Sequence, residues 1–294
     1  MQMNFSEKFR AKPGKEIRLQ DVETDFTGDY DKETAKAGLE KLKEEMSEQQ
    51  EKLYALNRNS VLIIFQAMDA AGKDSAIKHV MSGLNPQGCQ VYSFKTPNAE
   101  EYEHDFLWRH YKALPERGRI GIHNRSHYEN VLVCKVHPEY VMSENLPGYT
   151  AVDDLDKTFW KGRYESIRHF EEHLTRSGTT IIKFFLHVSE DEQKARFLER
   201  IEDPAKNWKF STADLKERAL WKSYRKAYEE AIAETSTDDS PWYIVPADKK
   251  WFTRLAISSI VTDTLKKMDL GYPELPEEEQ QRLAGCREAL LAEK

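Results

Sequence analysis

The fold is decided by residues 61 to 75, which read Val61-Leu62-Ile63-Ile64-Phe65-Gln66-Ala67-Met68-Asp69-Ala70-Ala71-Gly72-Lys73-Asp74-Ser75. This stretch starts with a continuous β-branched and aromatic run, Val61 to Phe65, that is too short for a helix and is soon followed by small residues. Such a run is typical of a strand buried on both faces of a parallel sheet. We therefore predict that residues 61–67 form the central strand.

The residues after this strand have the composition of a phosphate-binding loop. Small side chains let backbone N–H groups close on an oxyanion at a helix N-terminus, and Lys73 adds a point charge. The general pattern G-x-x-x-x-G-K-[ST] is matched only in part, because Ala67 replaces the first glycine and Asp74 replaces the hydroxyl residue. An ordinary tight turn is the alternative, and the buried strand before the loop and the amphipathic residues 75–84 after it favour phosphate. The predicted phosphate contacts are Ala70, Ala71, Gly72, Lys73, Asp74, Ser75 and Lys78.

Strand and helix patterns alternate along the rest of the chain. Strands are predicted at 90–94, 120–122, 179–188 and 242–245, the last at a sheet edge, and helices at 31–57, 75–84, 100–111, 153–177, 215–235 and 249–268. Alternation of this kind indicates a parallel sheet with helices on both faces. The predicted fold class is therefore α/β, a three-layer α/β/α sandwich around a five-stranded parallel sheet.

Three segments are expected. Residues 1–58 form an N-terminal arm and an amphipathic helix, residues 59–270 form the main domain, and residues 271–294 form a short helical tail after a breaker at 271–276. The arm is expected to lie across the domain or to be partly disordered, and contact with a polyanion is the alternative reading of its five Lys and Arg residues.

The composition and net charge of the chain exclude some classes of function. With 39% hydrophobic and 32% charged residues the chain reads as a globular protein, and its net charge of −7 argues against a general nucleic-acid binder. A polyanionic substrate would need a local basic channel, which an acidic protein can still provide. Three widely spaced cysteines and no signal peptide or membrane-spanning run favour the cytoplasm and no membrane partner.

Polar side chains gather where two predicted strands end. Lys95 and Thr96 follow strand 90–94, at the end of the strand where ligands bind in doubly wound sheets. Asn124, Arg125 and Glu129 follow strand 120–122, where P-loop enzymes deliver an acidic residue toward the metal or the attacking group. A solvated loop is the alternative, and the number of donors beside a phosphate loop favours a site.

Residues 190–212 are predicted to form a mobile lid. Arg196 and Arg200 are four residues apart and share a helix face, and Lys209 follows them. Arginines placed this way resemble the lid that closes over phosphates in nucleotide kinases. The alternative is a helix whose arginines pair with its own glutamates.

Four motifs together resemble the family-2 polyphosphate kinases, and they cover nearly the whole chain: 68–74, Asn85-Pro86-Gln87-Gly88, Asn124-Arg125-Ser126-His127-Tyr128-Glu129, and 199–204 with Trp208-Lys209. The resemblance implies a P-loop kinase fold similar to thymidylate kinase, dependence on Mg²⁺, a lid, and a basic tunnel for inorganic polyphosphate. With asparagine at position 124 the chain resembles the third class of this family, which implies that AMP and ADP are the acceptors of the phosphoryl group. GMP and GDP are expected as further acceptors. A homo-oligomer, dimer or tetramer, is also expected.

The expected roles follow from the chemistry of phosphoryl transfer, which asks mainly for positioning and positive charge. Lys73 and Arg125 would hold the phosphoryl oxygens, while Asp69 and Glu129 would bind Mg²⁺. The expected catalytic residues are Asp69, Lys73, Asn124, Arg125, Glu129 and Asn130. The expected polyphosphate contacts from the lid are Arg196, Arg200 and Lys209, and the expected nucleotide contacts are Lys95, Thr96, Arg119, Asn124 and Arg125.

One departure from the family pattern affects the expected rate. The similar subgroup usually has Glu-Asp where this chain has Glu129-Asn130, which predicts weaker metal binding and a lower turnover. Two other functions stay open on the sequence alone. An ATP-dependent nucleotide kinase shares the fold, although Asp74 after the lysine disfavours it, and a non-catalytic polyanion or nucleotide sensor would follow if Asn130 inactivated the enzyme. The sequence does not decide the physiological direction, the preferred chain length, the base preference or the subunit number.

Overall fold

A computed structural model describes residues 4–293 of the chain. Its five strands are β1 Ser60–Ala67, β2 Cys89–Ser93, β3 Ile120–Asn124, β4 Thr179–His187 and β5 Trp242–Pro246. They form one sheet in the order β2-β3-β1-β4-β5, and every neighbouring pair is parallel. The prediction of a five-stranded parallel sheet with residues 61–67 at its centre is confirmed.

The central strand explains why the sheet must lie between two layers. All eight residues of β1 are buried, including Gln66, so both of its faces are covered. Ile63 pairs with Ile122 on one side and with Ile182 on the other. Because all the strands run in the same direction, their carboxyl ends meet at one edge, and the loop that is predicted to bind phosphate leaves β1 at that edge.

Twelve α-helices occur in the described part of the chain. They are α1 Phe5–Lys8, α2 Lys32–Leu56, α3 Lys73–Val80, α4 Ala99–Tyr102, α5 Trp108–Tyr111, α6 Val133–Val136, α7 Lys157–Arg176, α8 Glu190–Glu202, α9 Thr212–Ala219, α10 Trp221–Thr235, α11 Lys250–Lys267 and α12 Glu277–Ala292. Helix α11 packs against α2 and α3, whereas α10 packs against α6 and α7. These two groups form the outer layers of the predicted α/β/α sandwich.

The N-terminal arm closes one edge of the sheet. The backbone N–H of Ala11 donates to the carbonyl of Trp242, and that of Ile244 donates to the carbonyl of Phe9. The rings of Phe5 and Phe9 pack against Phe252 of α11. The arm from residue 4 onward therefore lies across the domain, and it covers the unpaired edge of β5. The tail helix α12, in contrast, buries none of its side chains.

Three predicted helices differ from the structure. The segment 100–111 contains the two short helices α4 and α5, because Asp105 forms a turn in which its carboxylate accepts the N–H of Leu107 at 2.9 Å. The segment 215–235 is interrupted at Leu220, which separates α9 from α10. The helix predicted at 153–177 begins at Lys157, because Asp156 caps its first turn.

The length and hydropathy of the helices determine whether any of them could span a membrane. Between residues 4 and 293, no helix is both long enough and apolar enough to cross a bilayer.

Candidate active site

The loop between β1 and α3 has the backbone shape of an anion cradle. Gly72 has a φ of 102° and precedes the first residue of α3, and Ala70 has a φ of 58°. The N–H of Ala71 donates to the carbonyl of Met68 at 3.3 Å, which closes the turn. A positive φ at alanine is strained backbone, and such strain concentrates at functional sites. The free amides at the start of α3 are therefore aimed at the carboxyl edge of the sheet.

Lys73 points back over the end of the central strand. Its Nζ donates to the carbonyl of Ala67 at 3.0 Å, and the side chain is half-buried. Burial lowers the pKa of Lys73 and the nearby charge of Arg125 lowers it further, whereas Asp69 and Glu129 oppose that shift. Two cations beside each other are repelled, so an anion bound between them would be stabilised.

The end of β3 delivers two further side chains to the loop. The side-chain N–H of Asn124 donates to Oδ1 of Asp74 at 2.6 Å. Arg125 has a φ of 64°, and its backbone N–H donates to the carbonyl of Phe65 at 3.1 Å. This strained backbone turns the guanidinium toward Asp69, where Nη2 lies 3.6 Å from Oδ1.

A cavity of about 370 Å³ opens over these residues, and Asp69, Thr96, Arg125 and Glu129 are among its lining side chains. Burial raises the pKa of Glu129, and the charge of Asp69 adds to that effect, while Arg125 and Lys73 counteract it. Two carboxylates that face one cavity form a donor set suited to Mg²⁺. Mg²⁺ usually takes one or two carboxylates together with substrate phosphates. No cluster of three or more His, Cys, Asp and Glu residues that could hold a metal occurs within residues 4–293.

Helix α8 fixes the loop from behind. Arg196 is only 5% exposed, and its Nη1 donates to the carbonyls of Ala70 at 3.0 Å and Ala71 at 2.8 Å. The Nη2 atom of Arg196 donates to the carbonyl of Ala247 at 2.6 Å. The side-chain amide of Gln193 donates to the carbonyl of Asp69 at 2.9 Å. The first half of the predicted lid helix therefore packs against the loop and braces it.

Aromatic side chains form the far wall of the same cavity, and sequence reasoning had not identified them. Tyr140, Trp221, Tyr224 and Tyr228 line it, together with Glu217. The hydroxyl of Tyr224 donates to Glu217 at 2.6 Å. For three of them, the available signal was the aromatic residues Trp221, Tyr224 and Tyr228 in the first half of α10.

A sequence model described as Polyphosphate kinase 2 (PPK2) matches residues 29–272. The chain belongs to the polyphosphate kinase 2 family.

Curated relatives of this family cover almost the full chain. An ADP-polyphosphate phosphotransferase of Rhodopseudomonas palustris is 50% identical over 287 residues, which are 97% of this chain and 98% of that protein. An AMP/ADP-polyphosphate phosphotransferase of Meiothermus ruber is 42% identical over 269 residues, which are 91% and 95% of the two chains. The crystal structure of polyphosphate kinase 2 from Arthrobacter aurescens superposes with a TM-score of 0.85 at 38% identity and covers 96% of both chains.

The structure does not bring two of the expected site residues to this polyphosphate kinase 2 cavity. Arg119 precedes β3 at the amino end of the strands, and its guanidinium lies 4.2 Å from the centre of the Tyr54 ring. Asn130 is buried, and its side-chain N–H donates to the carbonyl of His127 at 3.1 Å. Neither side chain lines the cavity. The placement of Asn130 argues against the sequence-based idea that this position holds a metal ligand.

The remaining expected cations do not line this cavity either. Lys78 is exposed on α3, and Lys95 is exposed after β2. Arg200 donates to the carbonyl of Lys209 at 3.2 Å, and the Nζ of Lys209 lies 5.0 Å from the Trp208 ring. These cations stay predictions for phosphate contact.

One arginine beside the loop was not anticipated. Arg254, on the first turns of α11, donates to the hydroxyl of Ser75 at 2.9 Å. Because α11 follows β5, its start lies at the same carboxyl edge as the phosphate loop, and this position in the chain was the available signal.

Proposed function

We propose that this chain transfers a phosphoryl group between inorganic polyphosphate and ADP or AMP, with Mg²⁺ as cofactor. The observation that carries the proposal is the single cavity that Asp69 and Glu129 share with Arg125, directly above the loop that holds Lys73. Transfer between phosphates needs anion-binding groups and a metal site at one point, and little covalent chemistry from the protein. The names of the relatives from Rhodopseudomonas palustris and Meiothermus ruber support the two acceptors.

The positively and the negatively charged side chains of the site have different proposed roles. Lys73, Arg125 and the amides of the loop hold the phosphoryl oxygens and stabilise the charge that develops on them. Asp69 and Glu129 would hold Mg²⁺, which neutralises phosphate charge when it is bound. The attacking oxygen of a nucleotide phosphate is already anionic, so no strong general base is needed.

The test is a transfer assay without any added nucleoside triphosphate. Purified protein is incubated with Mg²⁺, long-chain polyphosphate and either ADP or AMP, and the formation of ATP or ADP is followed. Omission of polyphosphate and the Lys73→Ala variant serve as controls. Product that depends on polyphosphate supports the proposal, and its absence in the presence of both acceptors would contradict it.

The second candidate is an ATP-dependent nucleotide kinase, and one contact disfavours it. The position that holds a magnesium-binding hydroxyl in ATP-using P-loop enzymes is Asp74, whose carboxylate accepts the amide of Asn124 at 2.6 Å. The same assay with ATP and AMP in place of polyphosphate separates the two functions. A non-catalytic sensor would bind either substrate and form no product in both assays.

Guanine nucleotides are proposed as further acceptors. The aromatic wall of Tyr140 and Trp221 can stack a base without reading its edge, and stacking tolerates either purine. Comparable KM values for ADP and GDP are expected.

We also propose a cytoplasmic homo-oligomer, dimer or tetramer. Cys89, Cys134 and Cys286 are free thiols, as suits a reducing compartment. The exposed apolar side chains of α12, such as Leu290 and Leu291, could be covered by another subunit. Light scattering of the purified protein tests the subunit number.

A further inference from the structure

A buried ion pair lies under the candidate active site, and the mechanism above does not use it. Lys183 on β4 and Glu171 on α7 have side chains that are 0% and 1% exposed, and their Nζ and Oε2 atoms lie 2.5 Å apart. Burial raises the pKa of Glu171, but the charge and hydrogen bonds of its partners outweigh burial and bring it to about 2. The carboxylate is therefore ionised at neutral pH.

The pair is connected to a short turn through a tyrosine hydroxyl. Tyr128 donates from its hydroxyl to Oε1 of Glu171 at 2.7 Å, and that hydroxyl accepts from Nζ of Lys183 at 3.0 Å. Nε2 of His127 lies 3.3 Å from Oε1 of Glu171. The Oε2 atom of Glu171 also accepts the hydroxyl of Ser240 at 2.9 Å. Both carboxylate oxygens are thus occupied.

A gain in the stability of the fold does not explain why this ion pair is buried. Taking two charges out of water costs several kcal/mol per ion, and apolar replacements of buried pairs are often neutral or stabilising. What this pair does hold is a local geometry. His127 and Tyr128 begin the turn His127–Asn130, a 3₁₀ segment of four residues, and such segments have poor hydrogen-bond geometry of their own.

The turn carries Glu129, which lines the cavity with Asp69 and Arg125. Tyr128 points down into the core and Glu129 lies next to it in the chain, so an anchor on Tyr128 limits how Glu129 can be oriented. We propose that Glu171 is a positioning residue, which acts through the Tyr128 hydroxyl to hold the Glu129 carboxylate in the active site, while Lys183 balances the buried charge of Glu171. This inference rests on the proposed function for the role of Glu129.

The test removes one hydroxyl and leaves the ring in place. In Tyr128→Phe we expect kcat to fall roughly tenfold, KM for ADP to stay within about twofold, and the Mg²⁺ concentration for half activity to rise, because loss of a group that orients a metal ligand costs about 10- to 100-fold. Tyr164→Phe is the matched control. Tyr164 is a buried tyrosine on α7 whose hydroxyl accepts from Lys135 at 3.3 Å, outside the turn.

A rescue variant separates the hydrogen bond from the charge. Glu171→Gln combined with Lys183→Met removes both charges and keeps an acceptor for the Tyr128 hydroxyl. We expect this double variant to retain kcat within about threefold of the parent, because both buried charges are removed together and the acceptor for the Tyr128 hydroxyl remains. A fall equal to that of Tyr128→Phe, at an unchanged melting temperature, would overturn the role of the hydroxyl.

Hydrogen–deuterium exchange of the amides at 126–131 gives a readout that does not depend on turnover. Faster exchange in Tyr128→Phe together with lower kcat supports the inference, and unchanged exchange or unchanged kcat overturns it. If the parent protein transfers nothing from polyphosphate, the proposed function fails on its own account, and exchange alone then decides whether Tyr128 anchors the turn.

Discussion

Replacement of Arg196 by methionine separates two roles for this side chain. The sequence suggested a lid arginine that contacts phosphate, whereas the structure buries it against the carbonyls of Ala70, Ala71 and Ala247. Met has a similar length but no donors, so these carbonyls would lose their partner in a site that is only 5% exposed. Breaking a buried charged interaction of this kind costs about 3 to 5 kcal/mol.

That cost should appear as a melting temperature lower by roughly 10 °C, since about 2 to 4 °C accompany each kcal/mol in a domain of this size. Thermal melts by circular dichroism measure it, and steady-state rates show whether kcat falls as the loop loosens. Arg200→Met is the control, because Arg200 lies one turn further along α8 and is 24% exposed. It should melt like the parent. If Arg196→Met melts like the parent and raises only the KM for polyphosphate, then Arg196 does not brace the loop. That result would support the phosphate contact that the sequence predicts for Arg196.

Three further predictions follow from single contacts. Lys73→Ala should lose at least about a hundredfold in kcat while its melting temperature stays within a few degrees, because Lys73 supplies charge and makes only one structural bond, to Ala67; near-parental turnover in the transfer assay would remove the phosphate-loop assignment. Asn130→Asp should lower stability by about 1 to 3 kcal/mol in urea titration and leave turnover no higher, because the carboxylate would replace a donor that faces the carbonyl of His127; a higher turnover at lower Mg²⁺ would support a metal ligand instead. Burial lowers the pKa of His123 to about 4, so its full contribution to the free energy of unfolding is present above the unfolded pKa near 6.5 and falls by about 2 kcal/mol on going to pH 5. His123→Gln should therefore flatten the dependence of the free energy of unfolding on pH over that range, as measured by urea denaturation. An identical slope in the parent and the variant would show that other groups carry the acid dependence.

The sheet could be predicted because each strand carries its own signal. Residues 61–65 are apolar without interruption, which is typical of a strand covered on both faces, and β1 is indeed buried along its whole length. The loop after it and the polar residues after 120–122 were then placed together by a rule of topology, since parallel strands end at one edge. Asp69, Arg125 and Glu129 line one cavity as a result.

Three of the expected site residues do not line the cavity in the structure, each for a different reason. Arg196 contacts residues more than a hundred positions earlier, and no local pattern distinguishes an arginine that braces a loop from one that binds phosphate. Arg119 was assigned from its neighbours in sequence, but a strand separates it from the carboxyl edge. Asn130 bonds within its own short turn, which a comparison of residue types at one position cannot show.

The junction between the phosphate loop and β3 shows why two departures from a motif can be one feature. P-loop enzymes normally have a hydroxyl residue after the lysine and an acidic residue at the end of the neighbouring strand. Here Asp74 takes the first position and Asn124 takes the second, and their side chains are joined at 2.6 Å. Compared with those enzymes, the carboxylate lies on the loop instead of the strand. The neutral hydrogen-bonding side chain lies on the strand instead of the loop. The junction therefore keeps one negative charge and one neutral partner. Each position counted alone is a mismatch, but the pair retains the charge balance that the proposed site for phosphate and Mg²⁺ would need.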